Sequence, residues 1–413
     1  MRGSLLGTPE RRGAASFVRE GQQHADMRRR NEAAVLRAVL ANAPVPRTDI
    51  ARLTQLSAPS VTKVASWLVK AGFLYELPTS QRPENGRPAV PLAIDPRTHV
   101  AVGVHIGFLR TTIGVVGLDG SLLQQFELSH ASLSPDAILD ELVEALDGLW
   151  PRIDSHSLVA GIGVSMGGLI DAATGLVISH ETLGWHDVAV VDQLAYRVPH
   201  PVWLGVNYRA LAEAEMWFGE GRDVDDFLMI FVGNVTGAAI VSGRRLHQGV
   251  SSRAGTIAHT AVPGYEDVSC ACGRFGCLQA VASDIAIVAR AEAAGIACDG
   301  SLPRLIELGR QGLAAANELL EERARAVGKV IGPLIDLLDP ARVVLAGGLV
   351  SGPEHLDVLR DTALALVHAA DLVAADIVET SFGPASLVVS SAAPVLRSVF
   401  DDPAAYSALS RKS

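Results

Sequence analysis

Three of the four cysteines in this 413-residue chain, and one histidine, fall between His259 and Cys277 in the order H-x10-C-x-C-x4-C. Cys270 and Cys272 flank a single residue, and Gly273 and Gly276 allow tight turns that bring Cys277 back to the same point. Four nitrogen and sulfur donors on a turn-rich loop match the donor set of a closed tetrahedral zinc site. No uninterrupted apolar leader stands at the N-terminus, so disulfides are not expected; the loop reads as a Zn2+ site or as three reduced thiols. With every position filled by protein, the metal has no place for water. Its work is structural: it pins the loop and whatever the loop presents.

A second group of residues has the chemistry of nucleic-acid contact. Ser60, Thr62, Lys63 and Ser66 lie on one side of a helix expected from Pro59 to Lys70, opposite the apolar Val61, Val64, Ala65 and Leu68. Short hydroxylated side chains let a helix sit deep in a major groove, and a lysine answers phosphate. The elements that position them are legible. A helix from Met27 carries Ala34, Val35, Ala38 and Val39 on one face and stops at Pro44 and Pro46. Thr48 is placed to cap a second helix with Ile50, Ala51 and Leu53 inward, and Gln55–Ser57 is the turn. Beyond Gly72, strands at 73–75 and 90–94 flank a loop with Arg82 and Gly86-Arg87-Pro88, a wing whose slim arginine suits a minor groove. The whole reads as a winged helix-turn-helix for double-stranded DNA, against the alternative of a protein-docking module.

Charge falls where that reading needs it. Residues 1–97 hold 15 of the 35 basic and 8 of the 45 acidic residues, a balance of +7 against −17 in the remainder. A basic end on an acidic body points to one end meeting a polyanion. Residues 1–26, with Arg2, Arg11, Arg12 and Arg19 and no apolar period, read as a disordered basic arm. Residues 27–95 form the DNA-binding domain and 96–413 the body, divided at Asp95-Pro96. Hydrophobic content of 49% with 19% charged residues marks a folded chain, and no apolar run is long enough for a bilayer.

In the body, strand-like and helix-like segments alternate. Strands are expected at 100–107, 111–116, 159–164, 227–232, 238–241, 343–345 and 387–389, with an amphipathic helix at 135–150. That alternation predicts an α/β fold. Glycine-rich strand ends recur at 103–107, 161–168, 233–237 and 347–348, which suggests two related halves. Trp185 reads as core or as a pocket wall, and Cys298 as a small buried residue.

Residues 30–400 resemble the ROK family, named for repressor, open reading frame and kinase. The most specific match is CACGRFGC at 270–277, supported by GRPAVPLAIDP at 86–96, GIGVSMGGLIDAATGLV at 161–177 and VVLAGGLVS at 343–351. The resemblance implies an actin-like ATPase fold of two α/β lobes with a sugar in the cleft. It also implies zinc on His259, Cys270, Cys272 and Cys277. Members with a winged helix are mostly sugar-responsive regulators, and members without it mostly sugar kinases. The resemblance further implies a cytoplasmic bacterial protein, on the nucleoid when bound to DNA, and a homodimer or homotetramer.

Measured against the kinases of that family, the chemistry is depleted. A first phosphate loop similar to DIGGTK is here His105-Ile106-Gly107-Phe108-Leu109-Arg110, and a second similar to GTGIGAG is Gly233-Asn234-Val235-Thr236-Gly237-Ala238-Ala239. The pair that resembles Asn-Asp, which supplies the base, is Asn207-Tyr208. A phenol with a pKa near ~10 is a poor base at neutral pH. The sugar contacts implied by the resemblance fall on Asn207, Tyr208, Thr256, His259 and Gln279, three of them neutral where the family has carboxylates. His259 stands either as a zinc ligand alone or as a ligand that also faces the effector. The reading is therefore a DNA-binding transcriptional regulator, a repressor, that responds to a sugar-like effector and is not an enzyme. An ATP-dependent sugar kinase fused to a DNA-binding domain and a regulator sensing a partner protein are the alternatives.

Overall fold

The computed structural model describes residues 14–78, 90–368 and 376–409. The chain divides into two compact units, Met1–His99 with Arg397–Ser413, and Val100–Leu396.

The first unit opens with helix α1 (Ala14–Asn42), which buries Ala33, Val35, Leu36 and Val39. The helix begins well before Met27, so residues 14–26 are not the disordered arm the sequence suggested; residues 1–13 lie outside the described residues. A two-residue strand β1 (Val45–Pro46) leads into α2 (Arg47–Thr54), whose cap position is Pro46 and not Thr48. Leu53, expected inward, is exposed, and only Ile50 of that helix is buried. Helix α3 (Ala58–Lys70) starts at Ser57, whose side chain accepts from the Ser60 amide, and buries Val61, Val64, Ala65 and Leu68 as its apolar period predicts. Strands β2 (Leu74–Glu76) and β3 (Pro91–Ile94) pair antiparallel, and β1 adds to the other edge of β3. Arg82 and Arg87 lie outside the described residues.

In the second unit, β4 (His99–Ile106), β5 (Arg110–Gly117) and β6 (Leu122–Ser129) form a meander. Helix α4 (Pro135–Leu149) follows, burying Ile138, Leu139, Leu142, Leu146 and Leu149 along one stripe. Strand β7 (Leu158–Met166) is β4's other neighbour. A small sheet of β8 (Leu169–Asp171), β9 (Leu176–His180) and β10 (Trp185–Ala189) comes next, then α5 (Val190–Ala195) and β11 (Val202–Val206), parallel to β7. Helix α6 (Asn207–Phe218) carries the chain to β12 (Phe227–Val232), β13 (Thr236–Ser242) and β14 (Arg245–His247). The zinc loop precedes α7 (Leu278–Ala282), α8 (Asp284–Ala293), α9 (Leu302–Arg310) and α10 (Ala314–Leu338). Strand β15 (Arg342–Ala346), α11 (Leu356–Leu364), β16 (Asp376–Glu379), α12 (Ser386–Asp401) and α13 (Pro403–Leu409) complete the chain.

The two larger sheets read β11-β7-β4-β5-β6 and, in the same sense, β16-β15-β12-β13-β14. Each is a three-strand meander whose first strand is then joined by a fourth and fifth. The suggested kinship of the halves is thus visible in their connectivity. Residues 387–389, expected as a strand, lie in α12 instead. Their apolar run continues at Ala392, Val395, Leu396 and Val399, which is helical spacing that three residues alone could not disclose. Residues 397–409, expected with the body, group with the first unit, where α13 packs on α1 and Arg37 pairs with Asp401. Among the described residues no helix is long and apolar enough to cross a membrane.

Two glycines let α12 lie directly on the first sheet. A Cβ on Gly103 would sit 2.1 Å from the Val388 carbonyl oxygen, and one on Gly163 1.8 Å from that of Ser391. Gly163→Ala is therefore expected to cost about 1–3 kcal/mol or more by overpacking. Gly205→Ala, where a Cβ meets open space, should stay within about 0.5 kcal/mol. Urea unfolding of both variants measures the contrast.

Candidate functional site

The first unit presents a polar helix face. On α3, Thr62, Lys63 and Ser66 are exposed and Ser60 is half-buried, held near Ser57 by an Oγ–Oγ contact of 2.8 Å. Thr62 Oγ1 donates to the Ala58 carbonyl at 2.9 Å, which leaves its methyl group and oxygen lone pairs at the surface. Opposite this face Phe73 stacks on His99 at 3.9 Å between ring centres, within the core that fixes the helix.

The loop from His259 to Cys277 gathers its donors. The ligand atoms of His259, Cys270, Cys272 and Cys277 all lie within 4.8 Å of one another. Cys272 and Cys277 sulfurs are 3.7 Å apart, and His259 Nδ1 is 3.8 Å from Cys270 Sγ. Arms of about 2.3 Å meeting at a tetrahedral angle would put sulfurs about 3.8 Å apart, so the set fits Zn2+. The turn needs Gly273 and Gly276, with φ of 83° and 66°. The Cys270 amide donates to the Arg274 carbonyl at 2.8 Å, and the Gly276 amide to that of Val268 at 2.8 Å. A hydrogen bond from Arg274 draws the Cys272 thiol down to about 6, whereas burial pushes Cys277 up to about 12. A bound Zn2+ would supply positive charge to this cluster of thiols.

Next to this loop is a cavity of about 220 Å³, walled by Tyr208, Thr256, His259 and Gln279 together with Ser179, His180, Thr182, Val235 and Arg253. Four of the five residues expected to contact an effector are thus brought together. The fifth, Asn207, faces the neighbouring cavity and uses its Oδ1 to accept from the Tyr208 amide at 2.8 Å. His259 offers Nδ1 to the thiols and also lines the cavity, so the geometry puts it at both places. Tyr208 is 8% exposed with its ring over Gly237, where a Cβ would approach to 2.4 Å. Burial raises its phenol above the ordinary value, opposed in part by Arg209. Gln279 is occupied within the protein: its Oε1 accepts from the Thr236 amide at 2.8 Å and hydroxyl at 3.1 Å, and its Nε2 donates to the Asn234 carbonyl at 2.7 Å.

A second cavity, of about 380 Å³, lies where the glycine-rich strand ends converge, and Gly107, Gly233, Gly347 and Gly348 line it. Phe108, the Asp284 and Glu379 carboxylates and two buried histidines, His105 and His180, also line it, and its walls contain no lysine or arginine. Burial, aided for His105 by the nearby His180, pulls both imidazoles down to about 4, so both are uncharged at neutral pH. Asp284 is raised by burial, an effect opposed by its ion pair with Arg323. His180, Thr182 and Val235 line both cavities. The Val235 methyls lie 2.9 and 3.0 Å from where a Cβ on Gly167 would stand, on the border that the two spaces share.

Sequence reasoning left His180 unassigned, because only the pairing of β9 with β10 brings it to the cleft. Asp284 carried no motif and was likewise missed. Trp185 is core, 1% exposed, with Nε1 donating to the Leu133 carbonyl at 2.8 Å, and Cys298 is buried.

Comparison with known proteins gives a consistent result. The family model described as ROK family matches residues 101–393. The chain is 28% identical over 339 residues to the DNA-binding transcriptional dual regulator NagC of Escherichia coli, covering 79% of this chain and 82% of that one. A solved ROK family transcriptional regulator, a homologue of the E. coli MLC protein, aligns with a TM-score of 0.73 at 23% identity, over 91% of this chain and 97% of the other. A ROK family glucokinase from Streptomyces griseus, solved with glucose and AMPPNP, aligns with a TM-score of 0.63 at 26% identity, over 71% and 98%.

Two outcomes are expected. Purified protein should carry one zinc per chain by elemental analysis, and Cys272→Ser should release it while the circular dichroism of the helices persists. Gln279→Glu should destabilise by about 1–3 kcal/mol in thermal unfolding, because a carboxylate oxygen would then face the Asn234 carbonyl with no proton between them.

Proposed function

The chain belongs to the ROK family, and from that premise we propose that it is a DNA-binding transcriptional regulator, a repressor, without kinase activity. A neutral, hydroxyl-rich sugar-like molecule in the cavity beside the zinc loop is its effector. The observation that carries the reading is the Val235 side chain against Gly167. Phosphoryl transfer needs donor phosphate and acceptor hydroxyl in line at near contact. Here an aliphatic side chain stands on the border of the two spaces that would hold them.

Other features agree. The glycine-lined cavity has carboxylates and no cation in its walls, so a triphosphate would meet repulsion where it needs neutralisation. Tyr208, with its phenol pushed up by burial, cannot take a hydroxyl proton at neutral pH. The cavity beside the zinc loop presents the hydroxyls of Ser179, Thr182 and Thr256 with the His259 ring and the charged Glu181 and Arg253, a set able to hydrogen-bond hydroxyl groups. Zn2+ on His259, Cys270, Cys272 and Cys277 supplies no chemistry in this scheme. It holds the loop, and through His259 it fixes one wall of the cavity.

Reading of DNA falls to Ser60, Thr62 and Lys63 on α3, with Arg82 and Arg87 on the wing. NagC is a DNA-binding regulator by name, and its match to this chain extends the same role here. The oligomer is proposed as a homodimer, which a twofold operator would match.

The test is selection of genomic fragments by the purified full chain, followed by titration of the selected fragment. Lys63→Ala should weaken binding and reduce the salt slope by about one phosphate contact, and Thr62→Ala should relax base preference. Adding members of a sugar panel should release the fragment, and Thr256→Val should blunt that release. Steady ATP-dependent phosphorylation of any sugar, lost in a Tyr208→Phe variant, would refute the reading. If no sugar stabilises the protein, the effector is a partner protein in place of a small molecule.

A further inference from the structure

The larger, glycine-lined cavity has a hydrogen-bonding pattern that the protein itself sets. His180 Nδ1 accepts from the Leu183 amide at 3.2 Å, so the proton of its neutral ring is on Nε2. Ser391 Oγ donates to the Leu387 carbonyl at 2.6 Å, which spends its one proton. Ser165 Oγ, 2.7 Å away, must therefore donate to Ser391. That leaves Ser165 to accept from His105 Nδ1 at 3.2 Å, and the lone pair of His105 is on Nε2. Both imidazoles are more than nine-tenths buried, and neither Nε2 has a partner among the described residues. The Nε2 atoms lie beside cavity-lining glycines: that of His105 is 3.6 Å from where a Cβ on Gly107 would be, and that of His180 3.2 Å from the Gly167 position.

A further acceptor joins them. Arg323, itself 2% exposed, occupies Asp284 Oδ1 and the Ala282 carbonyl, leaving Oδ2 without a hydrogen bond. Glu379 adds an exposed carboxylate. The lining thus sets two carboxylates, one imidazole acceptor and one imidazole donor among amide and hydroxyl side chains such as Asn234 and Ser386, with the apolar surfaces of Phe108 and Phe231. Phosphate, an anion, is mismatched to a wall whose charged side chains, among the described residues, are carboxylates. A molecule that donates through a positive nitrogen and accepts through one oxygen is matched.

We propose that this cavity is a second ligand site, specific for a small organic amine with a hydroxyl group and an aromatic or aliphatic body. It is distinct from the effector cavity beside the zinc loop, which it borders at Val235, and it stands whether or not that effector is a sugar.

The probe is tyramine, with 3-(4-hydroxyphenyl)propionate as a counter-probe of the same body and opposite charge, and magnesium ATP as the phosphate comparison. Titration calorimetry of the full chain should show one tyramine bound per chain and no heat from the other two. Glu379→Gln, an exposed change that leaves the fold intact, should weaken tyramine about tenfold, and Asp284→Asn at least as much. Nitrogen-15 spectra of the histidine side chains should show the Nδ1-H form for His105 and the Nε2-H form for His180, both moving on tyramine addition. The proposal is overturned if the carboxylate or ATP binds as tightly as tyramine. It is equally overturned by the opposite tautomers, or by tyramine moving neither imidazole at about 10 mM, weaker than any useful site.

Discussion

The shape of the cleft depends on one amide side chain. Gln279 uses its oxygen to hold the Thr236 amide and hydroxyl and its nitrogen to hold the Asn234 carbonyl, so both sides of Val235 are fastened. Gln279 itself is positioned by the zinc loop. Cys277 is the residue before α7, and the Leu278 and Gln279 amides donate to the Thr260 and Ala258 carbonyls at 2.9 and 2.8 Å. The chain of contacts therefore runs from the four candidate ligands through the start of α7 to Val235, on the border of the two cavities. A side chain able only to accept could not make this connection.

That arrangement explains why the role of Gln279 was half legible. From the sequence it stood as a neutral replacement for a sugar-gripping carboxylate. In the structure its amide is spent on the backbone of the facing loop, and only its flank lines the cavity. The donor cluster was legible because it is local: four donors and two glycines within one loop, 259–277. The helix-turn-helix was legible because period and capping are local too, although Thr48 and Leu53 were misplaced. Pro46 caps α2 two residues before Thr48, and Leu53 is exposed. Residues 387–389 were misread because three apolar residues fit either period. His180 and Asp284 were invisible because each acquires meaning only from what the fold places opposite it.

His259 belongs both to the donor cluster and to the wall of the smaller cavity. Its Nδ1 faces Cys270 and its ring borders the cavity where Tyr208 and Thr256 stand. A ligand there would touch a group that the metal holds rigid. Binding at such a wall costs little ordering of that side chain, and any displacement of it must be shared with the loop.

The two halves of the body share one connectivity, and each has altered its first glycine turn with one bulky side chain. In the first half Phe108 follows Gly107 at the end of β4; in the second Val235 follows Asn234 at the end of β12. Backbone amides of such turns can cradle phosphate only if nothing projects between them and the ligand. Phe108 lines the larger cavity and Val235 lines both. Neither change disturbs the sheets, because both turns lie beyond the last paired residues of their strands. Side chains thus stand at both turns where such a cradle would need bare backbone amides. What fills the two cavities is decided by wall chemistry: hydroxyls with the charged Glu181 and Arg253 in the smaller, and the Asp284 and Glu379 carboxylates beside His105 and His180 in the larger.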